Sequence, residues 1–117
     1  MTDIAGLIAE LRQFVAERDW SQFHDPKNLT MLLASEVGEL VAEYRWVAGD
    51  AADAHSRDDG AARARIADEI GDVGIALLLL CDRTGIELGD AIATKLAKNR
   101  VRYPADKARG KAERPSG

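Results

Sequence analysis

Hydrophobic positions along the chain fall into four stretches of helical period, separated by polar or aromatic-rich connections. Ile4, Leu7, Ile8, Leu11 and Val15 recur every three to four residues, which predicts a first amphipathic helix over residues 3–18 with Glu10, Arg12 and Glu17 on its other face. A second helix is predicted over residues 28–47, with Asn28 as N-cap and Met31, Leu32, Val37, Leu40 and Tyr44 along it. The third spans residues 61–83, stops at Thr84-Gly85, and is apolar nearly all round between Val73 and Cys81. The fourth covers residues 88–102, with Ile92 and Leu96 toward the core. No strand pattern or internal repeat interrupts the series, so the expected fold is all-α.

The connections carry their own signals. Residues 19–26 place Trp20, Phe23 and His24 in a loop that Pro26 closes by disfavouring helix at Asp25. Residues 48–60 lack an apolar period and read as a mobile connection, so His55 within it is assigned no role. Past Tyr103-Pro104, the basic residues Lys107, Arg109, Lys111 and Arg114 predict a flexible tail. The domain is therefore expected over residues 1–104, with the tail at 105–117.

Composition narrows the class. In 117 residues, 46% are hydrophobic and 31% charged, the balance of a globular domain and not of a disordered chain. A net charge of −4 argues against a nucleic-acid polymer as partner, since backbone binding needs a basic footprint. Cys81 is the one cysteine and sits among leucines, where it is expected to pack as a small hydrophobe. The longest apolar run, residues 75–81, is too short for a bilayer, and Met1-Thr2-Asp3 lacks the pattern of a secretory signal. No membrane partner and a cytoplasmic location are expected.

Two short motifs change the picture. Glu36-Val37-Gly38-Glu39 is answered by Glu69-Ile70-Gly71-Asp72, each an acid, two spacers and an acid. Positions three apart share a helix face, so each motif aims two carboxylates one way. Leu29, Leu32, Leu33 and Leu40 surround Glu36 on the wheel, while Ile66, Val73, Ala76 and Leu80 surround Glu69. A single Glu-x-x-Glu usually marks a solvated face, but here both pairs lie inside apolar stripes. Charge in that setting needs a partner. Arg63 and Arg65 lie near Glu69, yet no basic residue interrupts 28–44, so local ion pairs cannot serve Glu36 and Glu39. A hard divalent cation such as Mg²⁺ is the simplest remedy.

Other features fit around such a site. Trp46 follows Glu39 by seven residues, which on a continuous helix returns it to the carboxylate face. Gly38, Gly71 and Gly74 suggest close approach of backbones near the acids. Lys95, Asn99 and Arg102 form a polar basic face at i, i+4 and i+7, which alone is more often solvated surface than an anion site. Together, acids for Mg²⁺, aromatics for a base and a Lys/Asn/Arg face for phosphates describe a nucleoside triphosphate site on helices.

The ordered set Arg18-Asp19-Trp20-x-x-Phe23-His24-x-Pro26-x-Asn28-Leu29, Glu36-Val37-Gly38-Glu39-Leu40, Trp46, Glu69-x-x-Asp72 and Lys95-x-x-x-Asn99-x-x-Arg102-Tyr103-Pro104 resembles the all-α dCTP pyrophosphatase family of MazG-like nucleotide pyrophosphohydrolases. The resemblance implies a four-helix-bundle protomer that assembles as a homo-oligomer, dimer or tetramer. It implies Mg²⁺-dependent cleavage of dCTP, including base-modified dCTP, to dCMP and pyrophosphate. Glu36, Glu39, Glu69 and Asp72 would hold the metal, with one glutamate orienting or deprotonating the attacking water instead. Trp20, His24 and Trp46 would line the base and sugar pocket, and Lys95, Asn99 and Arg102 would meet phosphates or neighbouring subunits. One departure stands out: Ala76 occupies a place where close dCTP-cleaving relatives carry tyrosine, which would enlarge the sugar end of the pocket. Two alternatives remain open. One is a house-cleaning pyrophosphohydrolase for other non-standard triphosphates, and another a non-catalytic helical interaction module. A di-iron protein would need Glu-x-x-His pairs, which neither His24 nor His55 completes.

Overall fold

The computed structural model describes residues 2–112, which hold six α-helices, two single 3₁₀ turns and no strand. Four helices follow the predicted stretches and two short ones do not. The chain divides at Gly85 into two compact units.

In the first unit, α1 spans Ile4–Glu17 and opens on Asp3, whose Oδ1 accepts the Gly6 N–H at 2.6 Å. A 3₁₀ turn at Ser21–Phe23 leads to α2, Pro26–Ala42. Here the expected cap is corrected. Asp25, in extended conformation, caps α2 by accepting the Asn28 N–H at 2.8 Å, and Pro26 takes the first helical position, where its missing N–H costs nothing. The Asn28 side chain instead donates to the Phe23 carbonyl at 3.0 Å. The far end also falls short of residue 47: the Glu43 and Tyr44 N–H groups bond three residues back, to Leu40 and Val41, and the helix tightens into turns after Ala42.

Residues 48–60 are not an unstructured connection. A 3₁₀ turn at Gly49–Ala51 runs into α3, Ala52–Arg57, which packs on α4. The Tyr44 hydroxyl lies 2.6 Å from Ser56 Oγ, which donates to the Ala52 carbonyl, and the Tyr44 and His55 rings meet edge to face at 5.9 Å. Fewer than two helical turns give the sequence no period to display, which is why α3 was illegible.

The long helix α4, Gly60–Thr84, starts at Asp59, whose Oδ1 accepts the Ala62 N–H, and ends at Gly85 with φ 71°, the left-handed stop the sequence announced. Its most extensive packing is against α2, running antiparallel to it. Leu29 of α2, 1% exposed, and Ala62, Ile66, Ala76, Leu78 and Cys81 of α4 form the core with Val15 of α1. Cys81 packs as the small hydrophobe expected. Arg12 ties α1 to α4 through Nε, which donates to Asp82 Oδ1 at 2.9 Å.

Close backbone approach does not account for the helix glycines: a Cβ built on Gly38, Gly71 or Gly74 meets nothing within 4 Å among the described residues.

The second unit begins at Ile86 and contains α5, Leu88–Arg102, and α6, Ala105–Ala108. Glu87 caps α5 by accepting the Gly89 and Asp90 N–H groups. Those bonds hold the Glu87 carboxyl below its usual range. Ile92 and Leu96, expected to face the core, are exposed; one long helix and one of four residues supply no surface of their own to bury them. Of the predicted basic tail, residues 113–117 lie outside the described residues. No helix among the described residues is long and apolar enough to cross a membrane.

Candidate metal centre and the residues around it

The antiparallel pairing of α2 and α4 sets the two acidic motifs face to face. Glu36, Glu69 and Asp72 each present a carboxylate oxygen, and the three atoms lie within 4.8 Å of one another. The apolar stripes that carry them are the ones that pack: Leu29 is buried, Leu33 and Leu40 half-buried on α2, and Ile66 and Ala76 buried on α4. Glu36 and Glu69 are drawn partly inside with them, while Glu39 and Asp72 stay exposed at the rim. Glu39 is not part of the converging set.

Electrostatics at this place are unfavourable for bare carboxylates. Burial pushes the Glu69 carboxyl above its usual range, and the nearby charges of Asp72, Glu39, Glu36 and Glu43 push it further. Glu69 Oε2 is shielded from solvent and has no hydrogen-bond partner among the described residues. A converging set of hard oxygen donors with one orphaned oxygen fits a divalent cation. Glu36, Glu69 and Asp72 would hold it.

One residue here escaped the reading of the sequence. Glu43, 19% exposed at its side chain, lies one turn beyond Glu39 and two beyond Glu36, and accepts from Arg65 Nε at 3.1 Å across to α4. Its spacing was a signal, since positions four and seven residues apart share a face. Arg65, expected near Glu69, bonds Glu43 instead, and Arg63 reaches back toward the Ser56 carbonyl at 3.5 Å.

The expected base-pocket residues have different surroundings in the first unit. His24 lines a cavity of about 180 Å³ with Arg12, Ser21, Leu29, Leu79, Asp82 and other residues of this unit. Ten residues of α4 separate Asp72 from Asp82, about 15 Å along a helix axis. Trp20 stacks edge to face on Phe14 at 5.7 Å and is partly exposed. Trp46 is 88% exposed beside Arg45; because α2 ends at Ala42, the register that would return Trp46 to the carboxylate face stops short of it. Ala76, at the place of the tyrosine, is 1% exposed and packs in the core of this unit. In the second unit, Lys95 and Asn99 line a shallow groove on α5 with Ala91, Ile92 and Leu96, and the Arg102 guanidinium lies 5.7 Å from the Tyr103 ring.

Carboxylates gathered from two antiparallel helices around one polar centre fit a hard cation, and they sit on a chain whose relatives are nucleotide-cleaving proteins by name. A MazG-like family model matches residues 30–115, and the chain belongs to that family. It is 41% identical over 112 residues to dCTP pyrophosphatase 1 of Rattus norvegicus, covering 96% of this chain and 64% of the relative. To dCTP pyrophosphatase 1 of Homo sapiens it is 40% identical over 114 residues, covering 97% of this chain and 65% of the relative. The chain thus spans just under two thirds of the length of these curated relatives. A solved structure of a pyrophosphatase from Archaeoglobus fulgidus superposes with a TM-score of 0.81 at 32% identity, over 89% of this chain and 94% of that one.

Proposed function

We propose that this protein is a Mg²⁺-dependent nucleoside triphosphate pyrophosphohydrolase that cleaves dCTP, or base-modified dCTP, to dCMP and pyrophosphate. The convergence of Glu36, Glu69 and Asp72 around an orphaned carboxylate oxygen carries the reading, supported by relatives named for that substrate. Bound Mg²⁺ would supply charge neutralisation for the phosphate oxygens and leaving group. Glu39, exposed and outside the converging set, is the residue we assign to orient the attacking water and accept its proton. Water oxygen bonds the α-phosphorus as the bond to the α–β bridging oxygen breaks, and pyrophosphate departs. Lys95, Asn99 and Arg102 are assigned to phosphate oxygens or to a neighbouring subunit, where positive charge would stabilise the developing negative charge. Trp20, His24 and Trp46 are assigned to the base and sugar; both indoles are exposed, which supports stacking on a base.

The same reading takes residues 1–104 as the catalytic domain, a four-helix-bundle protomer, with residues 105–117 as a basic tail. Exposed Met31, Val37 and Val41 on α2 and Ile70 on α4 support assembly into a homodimer or homotetramer. The acidic net charge supports a small-molecule substrate and no nucleic-acid polymer, and we place the protein in the cytoplasm, sanitising the nucleotide pool. A second reading, a house-cleaning enzyme for other non-standard triphosphates, is favoured by Ala76, where the hydroxyl typical of close dCTP-cleaving relatives is missing.

Product analysis with Mg²⁺ and a panel of deoxynucleoside triphosphates tests the activity and its substrate. Monophosphate and pyrophosphate from dCTP, abolished by EDTA, is the expected result. The same products from another base would move the substrate, and no turnover of any triphosphate would favour an interaction module.

A further inference from the structure

Arg65 stands four residues before Glu69 on α4, the spacing at which Arg and Glu side chains pair on a helix surface. It does not bond Glu69. Its Nε donates at 3.1 Å to Oε2 of Glu43, which caps the end of the facing α2, and Glu69 Oε2 is left shielded from water with no partner among the described residues. Glu43 is the better-sheltered half of the pair, 19% exposed against 56% for Arg65. An arginine within reach of a cation-binding carboxylate is a competitor: a guanidinium satisfies the oxygens a metal would otherwise take.

We propose that Glu43 is a positioning residue for the metal centre, holding Arg65 across the α2–α4 seam so that the Glu69 carboxylate stays open to a divalent cation. The inference rests on the reading of Glu36, Glu69 and Asp72 as the metal-binding set. Glu43 itself need not touch the metal. Without Glu43, two carboxylates stand at pairing distance along α4, Asp68 three residues on and Glu69 four, and Arg65 is released to compete for Glu69. Removing both residues removes the competitor along with its restraint.

This logic separates the proposal from two simpler roles. If the pair only bridged α2 and α4, losing either partner would disturb the centre alike, and losing both would not restore it. If each residue acted only through its charge, their effects on cation binding would add, because independent sites add. Sequestration predicts instead that Arg65 matters little while Glu43 is present and much once it is gone.

The experiment is a double-mutant cycle read as Mg²⁺ affinity by titration calorimetry on the full chain, wild type against Glu43→Gln, Arg65→Ala and the double variant, with thermal melts to confirm folding. Glu43→Gln is expected to weaken Mg²⁺ binding about tenfold, the scale of a coupling between contacting residues. Arg65→Ala alone should bind within about twofold of wild type, and Arg65→Ala placed in the Glu43→Gln background should recover most of the loss. Equal effects of Arg65→Ala in both backgrounds, or no recovery in the double variant, would overturn the proposal while leaving the metal centre intact. A wild-type protein that binds no Mg²⁺ would overturn the metal centre and this inference together.

Discussion

Glu69 is shaped more by its neighbours than by its chemistry. Partly buried among apolar side chains and facing like charges, its carboxyl is pushed upward, and a bound cation would relieve the ionised form. Glu36→Gln and Asp72→Asn each remove one oxygen donor charge and are expected to lower Mg²⁺-dependent turnover at least about a hundredfold while the thermal midpoint without metal holds or rises. Full retained turnover in both would remove the metal role. Asp82 shows the opposite balance: its hydrogen bond from Arg12 holds the carboxyl below its usual range against the opposing pull of burial. A carboxyl lowered on folding contributes stability above its unfolded pKa, about 3.9, and loses it as pH falls through the folded value. Asp82→Asn should therefore melt a few degrees below wild type from pH 5 to 8, with the gap closing below about pH 4. A gap unchanged at pH 3 would mean that the Arg12 pair is not its source.

At the scale of elements, helix ends decided what the sequence could announce. Gly85 was legible as the stop of α4 because a left-handed residue is needed there and glycine adopts it freely. The start of α2 was read three residues late because Asp25 and Asn28 are both good caps, and only the backbone shows which side chain accepts the N–H. Asp25→Ala should cost about 1 kcal/mol in chemical denaturation, whereas Asn28→Ala, which loses a loop bond to Phe23, should leave the far-ultraviolet helix signal unchanged. Equal helix loss from both would contradict the assignment of the cap. The end of α2 at Ala42 also removed the argument that placed Trp46, since a helical wheel holds only as far as the helix.

For the whole molecule, the exposed apolar side chains of α2 and α4 set the expectation of assembly. Light scattering of the purified chain should give two or four times the 12.7 kDa protomer mass, and Met31→Glu together with Val41→Glu should lower it. A protomer mass for the wild type would sink that expectation. By itself the sequence determined four helices, because their apolar period is long enough to repeat, and it located four acids inside apolar stripes, because position on a helix wheel follows from spacing alone. Tertiary structure decided the rest. Which three acids converge, which arginine is held off them and that Glu43 holds it all depend on how α2 lies against α4, a relation between residues far apart in the chain that no local period encodes. The short helix α3 and the burial of Ala76 belong there too, since both are set by packing against neighbours and not by the residues' own preferences.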